Sequence, residues 1–503
     1  MNTWTTRTLL LALVVLGIAA WLRFPFMRSG MPYFYDEDEA HHHNRVVNMV
    51  KRGDFDPQYF LKPSLHFYLR MPVVAASFLA SVRAGEVRSV KEIVTRDTFG
   101  VGDYSFSASP QKIAKWNRAF SVAVSLLVIL LTIVLAGQLG LPASATLLAA
   151  ALVGVSPALV QSSATIGVDG IVTACALLAT ILALRVIDRP TLGAVIAAGV
   201  AAGCAIGTKY NAAPIALLPL LAVVVARGAG VGALAAAILT PCLAFLATTP
   251  FLLANLPLFL DHLGYEIWHY GIAGHEGHTG EPGLGQALFY AKWLWSSALG
   301  VAAFAVSICG IVLLLLRGEK RYVLFVAFPL LYLLLMISQK ANFTRNMHLM
   351  IPFLACGAAF LAELICSRFG KARGAATFFV TLGLCAQPFL WALNQRTEAQ
   401  SLPESRLQAA AWLMERSSEN KKTALSGALQ FEPGVLKLPG VTKVDLSKET
   451  AETLKAQGFE RIVAGAAELT GLDTLTLESS IPGELGQQRI VKNPEIRMYQ
   501  IPQ

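Results

Sequence analysis

The chain has 503 residues, 55% of them hydrophobic and only 15% charged, with a mean hydropathy of +0.55. A soluble globular chain carries about 25% charged residues, so this composition excludes that class. The formal charge of +9 does not indicate nucleic acid, because the basic residues stand at the ends of apolar runs and no basic patch with interleaved aromatics occurs.

Apolar runs near span length recur at 8–27, 118–139, 142–161, 170–187, 191–207, 211–226, 231–254, 286–316, 322–338, 346–366 and 374–394. These predict a polytopic α-helical membrane protein with about eleven spans. The first run is read as an uncleaved span, since its most apolar part ends at about Ala20 and Trp21, Arg23 and Phe24 follow directly, without a small-residue cleavage site. A long loop, 27–117, comes next. Its segment 64–82 is apolar, but Arg70 and Pro72 sit at its centre, and a mid-bilayer arginine costs about 2.5–3.5 kcal/mol. Laid along the surface, with a cytoplasmic N-terminus, this segment lets Arg185, Arg189, Arg227, Arg317, Lys320, Arg321, Arg368, Lys371 and Arg373 all fall inside. A spanning 64–82 would put them all outside. The same parity places the acids at 36–39, Asp169, Lys209, the loop 255–285, the segment 339–345 and the tail on one external face.

The seven cysteines all lie in apolar segments and read as small hydrophobes rather than disulfides or zinc ligands. From about residue 400 the composition changes. "PESRLQAAAWLMERSSENKK" reads as an amphipathic helix, "TALSG", "VTKVDLS" and "ERIVAGA" as strands, and "QQRIVKNPEIRMYQIP" as a hairpin turning at Asn493-Pro494. The predicted division is therefore a membrane module, 1–399, and a small soluble α/β domain, 400–503, without a glycine phosphate fingerprint.

The polar motifs follow in a set order. "DEAHHHNRVVNMVKRGDFDPQYFLKPSLHFYL" fills the first loop, then come "RAFS", "SPALVQSSATIGVD", "GTKYNA", "GHEGHTG" and "RNMHLMIPF". Together they resemble the GT-C superfamily of glycosyltransferases, which use polyprenyl-phosphate-linked sugars. The bacterial relatives of protein O-mannosyltransferases and of the lipid A aminoarabinose transferase are the most similar groups. The resemblance covers roughly residues 30–400. It implies a GT-C fold with interfacial helices in the first external loop. It also implies transfer of a hexose or pentose, with inversion, from the lipid donor to a protein, lipid A or glycan acceptor. The setting would be a bacterial plasma membrane, with the site and tail in the periplasm.

The acceptor must lose a proton as it attacks, which suits a positioned carboxylate. The resemblance assigns that role to Asp38, with Glu39 beside it; Asp36-Glu37 is a rival pair, and all these acids also suit a helix N-terminus. The leaving lipid phosphate develops negative charge, which a held cation stabilises. Lys62 in "LKPSL" and Arg345 are the candidates, with Lys209 and Tyr210 as further phosphate contacts; interfacial anchoring is the plain alternative for each. In the aminoarabinose transferase-like pattern an acid precedes the lysine, and here that position is Leu61. Asp169 is a second acid for acceptor or metal, His275 and His278 are candidates for substrate contact, and Arg118 is a weaker one. No cofactor is required by these motifs, though Glu39 with His43 at i, i+4, or His275 with His278, offers ligands for a divalent cation. A transporter or lipid flippase is the alternative from a different class. It would need ionisable residues in mid-span, where the sequence places few.

Overall fold

A computed structural model describes residues 5–34, 37–95, 108–226, 230–275, 277–401, 403–429, 431, 434–466, 468, 475–483 and 493–502. The helices in chain order begin with α1 (Thr6–Arg23), α2 (Glu37–Arg52), α3 (Leu65–Arg83), α4 (Gln111–Gln138), α5 (Ala143–Val155) and α6 (Pro157–Gln161). Next come α7 (Asp169–Asp188), α8 (Leu192–Ile206), α9 (Leu217–Ala226), α10 (Val231–Thr248), α11 (Leu256–Trp268) and α12 (Leu284–Trp293). The last six are α13 (Val301–Arg317), α14 (Lys320–Ile337), α15 (Met350–Cys366), α16 (Arg373–Ser401), α17 (Ser405–Glu415) and α18 (Ala451–Ala456). Five strands follow in the tail: β1 (Thr423–Ser426), β2 (Val441–Val444), β3 (Arg461–Gly465), β4 (Thr476–Ile481) and β5 (Ile496–Gln500). The chain divides into two compact units. One holds Met1–Phe26, Asp54–Pro72 and Ala119–Arg396; the other holds Met27–Gly53, Val73–Arg118 and Thr397–Gln503.

The first unit is a helical bundle. Among the described residues of the whole chain, seven helical runs are long and apolar enough to cross a membrane, and four shorter apolar helices accompany them. The runs do not coincide with the eleven predicted spans. The run 142–161 breaks at Ser156 into α5 and α6, because Pro157 stands at the first position of the second helix. The run 286–316 is interrupted by a π segment at Leu294–Ala298 and by Gly300, whose φ of 81° suits glycine alone. Gln387 then accepts from the backbone N–H of Val301 at 3.2 Å. Segment 65–83 forms one 19-residue helix, α3, long and apolar enough to cross. Its Arg70 is 1% exposed and donates to Ser121 Oγ and Gly167 O, both at 3.0 Å. Protein groups thus hold the charge that weighed against a span, so the surface placement of 64–82 now rests on the basic loops alone.

Close helix packing replaces water exclusion as the cohesive term inside a bilayer, so small residues mark the contacts. Gly199, Gly203 and Gly207 repeat every four residues along α8 and its end. They face Thr240, Ala244 and Thr248 at the same spacing on α10. Gly357 of α15 lies against Ser307 O and Ile311 of α13. Cys356 and Cys366 are buried, Cys242 and Cys309 are exposed on apolar helices, and all seven cysteines are free thiols.

The second unit joins the first loop to the tail. Its sheet has the order β2-β1-β3-β5-β4, with β1 parallel to β2 and β3, and β5 antiparallel to β3 and β4. The predicted strands at β1, β2, β3 and β5 are present. The partner of β5 is β4, not a strand before Asn493-Pro494; the predicted first arm at 487–492 lies outside the described residues. Arg461 of β3, 2% exposed, holds Glu419 and Glu478 at 2.8 and 2.9 Å.

Candidate active site

Most of the candidate residues fall in the first unit, at one end of its bundle. Asp169 is the first residue of α7, and Lys209 precedes the 3-10 turn Tyr210–Ala216 that follows α8. The Lys209 ammonium donates to Asp169 Oδ1 at 2.6 Å and to Asn346 Oδ1 at 2.8 Å, and the lysine is 4% exposed. Its charge is therefore matched inside the protein. Asn346 belongs to the 3-10 turn Thr344–Leu349, which also carries Arg345 and leads into α15. The neighbouring Tyr332 hydroxyl donates to Asn346 O at 2.7 Å.

Tyr210 links this cluster to Lys62. Its hydroxyl donates to Phe60 O at 2.7 Å, fixing the backbone two residues before the lysine. The same backbone is held from α11, where His262 Nδ1 accepts from Phe60 N at 2.9 Å. Lys62 is itself paired with α11: its ammonium stands 3.0 Å from both carboxylate oxygens of Glu266. An acid does accompany this lysine, then, but it comes from 204 residues along the chain rather than from position 61.

One turn beyond Glu266, aromatic groups gather around Phe343. The rings of His269, Tyr270, His275 and His278 all lie within 6.1 Å of its centroid, and the Arg345 guanidinium stacks over it at 4.6 Å. Burial lowers the pKa of His269 and of His278 below the usual 6.5. The neighbouring His275 and Arg345 push both the same way, while Glu266 opposes the shift at His269. These imidazoles are neutral near pH 7, and an arriving anion would raise their proton affinity.

The acidic candidates lie in the second unit. Asp38 is in the first turn of α2 and is half-buried. Asp36 and the side chain of Glu37 lie outside the described residues. Glu39 is 3% exposed, and Arg118 donates to both its oxygens, at 2.7 and 2.8 Å, while also donating to Ser29 O at 2.6 Å. Glu39 and Arg118 therefore tie α2 to the start of α4, and neither the metal role of Glu39 nor a substrate role of Arg118 follows from this geometry. His42 and His43 are buried, and His43 packs against Phe34 at 5.0 Å. Among the described residues no three His, Cys, Asp or Glu side chains gather as a metal set. Sequence reasoning missed Glu266, His262, His269, Phe343 and Asn346. The one available signal was an acid and two histidines at helical spacing in "LDHLGYEIWHY".

Comparison with known proteins agrees with this architecture. Residues 97–260 match the family described as dolichyl-phosphate-mannose-protein mannosyltransferase. No curated protein matches the chain. The structure of the Archaeoglobus fulgidus oligosaccharyltransferase is similar at a TM-score of 0.55 and 11% identity, over 92% of this chain and 70% of that one. ArnT from Cupriavidus metallidurans is similar at a TM-score of 0.52 and 12% identity, over 97% of both chains. The fold is that of the GT-C superfamily. The GT-C likeness holds for ArnT bound to undecaprenyl phosphate as well, at a TM-score of 0.50 and 12% identity, over 98% of both chains. At that coverage the likeness of fold takes in the tail as well as the bundle.

Proposed function

We propose that this chain is an integral-membrane glycosyltransferase that takes a sugar from a polyprenyl-phosphate carrier and passes it to an acceptor at the periplasmic face of a bacterial plasma membrane. The observation that carries the proposal is the group of Lys62, Arg345 and near-neutral imidazoles at one end of a GT-C bundle. The binding of undecaprenyl phosphate by the similar ArnT supports a lipid-phosphate donor. Lys62 and Arg345 take the donor phosphate. Lys62 exchanges Glu266 for it and then stabilises the charge that the lipid phosphate gains as the sugar leaves. Asp38 accepts the proton of the attacking acceptor, and a single displacement inverts the anomeric centre. The Asp169–Lys209 pair shapes the acceptor side.

The test is genetic. The gene is deleted, and lipid A, surface glycan and glycoproteins are compared by mass spectrometry. The strain is then complemented with wild type or Asp38→Asn. The proposal expects one sugar modification to vanish, to return with wild type and not to return with Asp38→Asn. Full rescue by Asp38→Asn would remove Asp38 as the base.

A further inference from the structure

The opposite end of the bundle carries a cleft of its own. It has a volume of about 360 Å³ and is lined by Leu139, Leu141, Arg317, Phe360, Glu363 and Arg373 among others. That size is within the range of small-molecule sites. All these residues belong to the first unit. Arg317 ends α13 and Arg373 opens α16, whereas Glu363 and Phe360 lie in the last turns of α15. The 17 residues of α15 extend about 25 Å, so Asn346 and Arg345 stand a helix length away. This cleft is no part of the site described above.

Its chemistry is that of an amphiphile site. One wall is apolar, formed by Leu139, Leu141 and Phe360, all buried. The charged groups are two guanidiniums against one carboxylate. Arg317 lies over the Phe360 ring at 4.9 Å, and among the described residues no carboxylate pairs with it. Arg373 donates to Glu363 Oε1 at 2.5 Å. The other oxygen, Glu363 Oε2, is buried with no hydrogen-bond partner among the described residues. A buried carboxylate oxygen left without a donor is costly, so a group that brings one is favoured there. A stacked arginine with an unused fork favours a phosphate.

We infer that this cleft binds a phosphate-bearing amphiphile whose headgroup also donates a hydrogen bond, with phosphatidylethanolamine as the type: phosphodiester on Arg317, ammonium on Glu363 Oε2. Basic pockets between spans at one membrane face take anionic headgroups for the same reason. The extra requirement here is the donor. It separates phosphatidylethanolamine from phosphatidylcholine, whose quaternary ammonium has no N–H to offer.

The full chain, purified in detergent, is titrated with dihexanoyl-phosphatidylethanolamine, dihexanoyl-phosphatidylcholine and soluble phosphoethanolamine, and binding is read by native mass spectrometry. The ethanolamine lipid should bind more tightly than the choline lipid. Arg317→Ala should weaken it about tenfold, the order expected for one charge-assisted hydrogen bond. Glu363→Gln should narrow the difference between the two lipids. Arg189→Ala, an exposed basic residue outside the cleft, should change nothing. A melting curve for each variant separates lost binding from lost fold. Equal binding of the two lipids by wild type, or unchanged binding in Arg317→Ala of wild-type stability, overturns the site. Phosphoethanolamine binding as tightly as the lipid overturns the lipid as its source.

Discussion

Residue-level pairing is where chemistry and sequence part company. The sequence offers Lys62 and Lys209 as phosphate contacts, and in the structure each is held by an acid far along the chain. The Lys209–Asp169 pair spans 40 residues and the Lys62–Glu266 pair spans 204. No local pattern encodes such a pairing; only the packing of α7, α8 and α11 does. The two pairs also differ. Lys209 is buried with two acceptors, whereas the side chains of Lys62 and Glu266 keep 12% and 16% of their surface. Lys62 is thus the more accessible of the two lysines. Binding of undecaprenyl phosphate to the purified protein should fall about tenfold or more in Lys62→Met, the loss of one charge-assisted hydrogen bond. It should rise in Glu266→Gln, where the competing negative charge is gone. Weaker binding in Glu266→Gln would show that the carboxylate orients the lysine instead of competing with the phosphate.

The imidazoles beside this pair add a pH dependence with a definite sign. His269 and His278 bind protons less readily in the folded chain than at the ordinary 6.5 of the unfolded one. Below that value the unfolded chain holds more protons, so their contribution is complete above pH 6.5 and is lost as pH falls through the folded values. Melting temperatures between about pH 7.5 and about pH 5.5, the range in which imidazoles titrate, should drop more for wild type than for a His269→Asn, His278→Asn variant. Parallel curves would assign the acid sensitivity to other groups.

Elements were more legible than pairings, though unevenly. Long apolar runs announced α4, α7 and α14, because a helix buried in lipid or protein is apolar all round. Breaks were less visible, since Gly300 and the π segment before it sit in an unbroken apolar run. The strand β4 escaped because it lies at the sheet edge and most of its residues are exposed, which removes the burial that makes a strand conspicuous. The glycines at 199, 203 and 207 carry no signal of their own in an apolar run, and the packing of α8 on α10 gives them their meaning. A Cβ on Gly203 would stand 2.5 Å from both Pro241 O and Ala244 Cβ, so α8 and α10 would have to separate. Gly203→Ala should therefore lower stability by about 1–3 kcal/mol, as overpacking does. Gly193→Ala on the same helix meets nothing within 4 Å. It should be neutral or stabilising by up to about 1 kcal/mol, because alanine is the better helix former. Thermal unfolding of both variants in one detergent makes the comparison, and equal effects would dissolve the helix crossing as their cause.

For the whole molecule, the compact units cut across the order of the chain. The predicted boundary lies near 400, and in the structure 27–53 and 73–118 of the first loop and the start of α4 share a compact unit with 397–503. Tyr33, five residues before Asp38, is fully buried, and Arg406 of α17 stacks over its ring at 4.2 Å. Arg406 is itself paired with the buried Glu404 at 2.5 Å. Removing the tail would strip this cover from the loop that carries Asp38, although every candidate site residue lies before position 400. A chain ending at Ser401 should still insert, because α1 to α16 are intact. Its 27–53 loop should become sensitive to limited proteolysis, and complementation of the deletion strain should fail. Tyr33→Ala in the full chain should reproduce part of the effect without removing a charge. Arg406→Ala should be worse than Tyr33→Ala, since it leaves Glu404 buried and unpaired, a loss of about 3–5 kcal/mol for a broken buried pair. A truncated chain with wild-type protease resistance and full complementation would show that the tail does not support the loop.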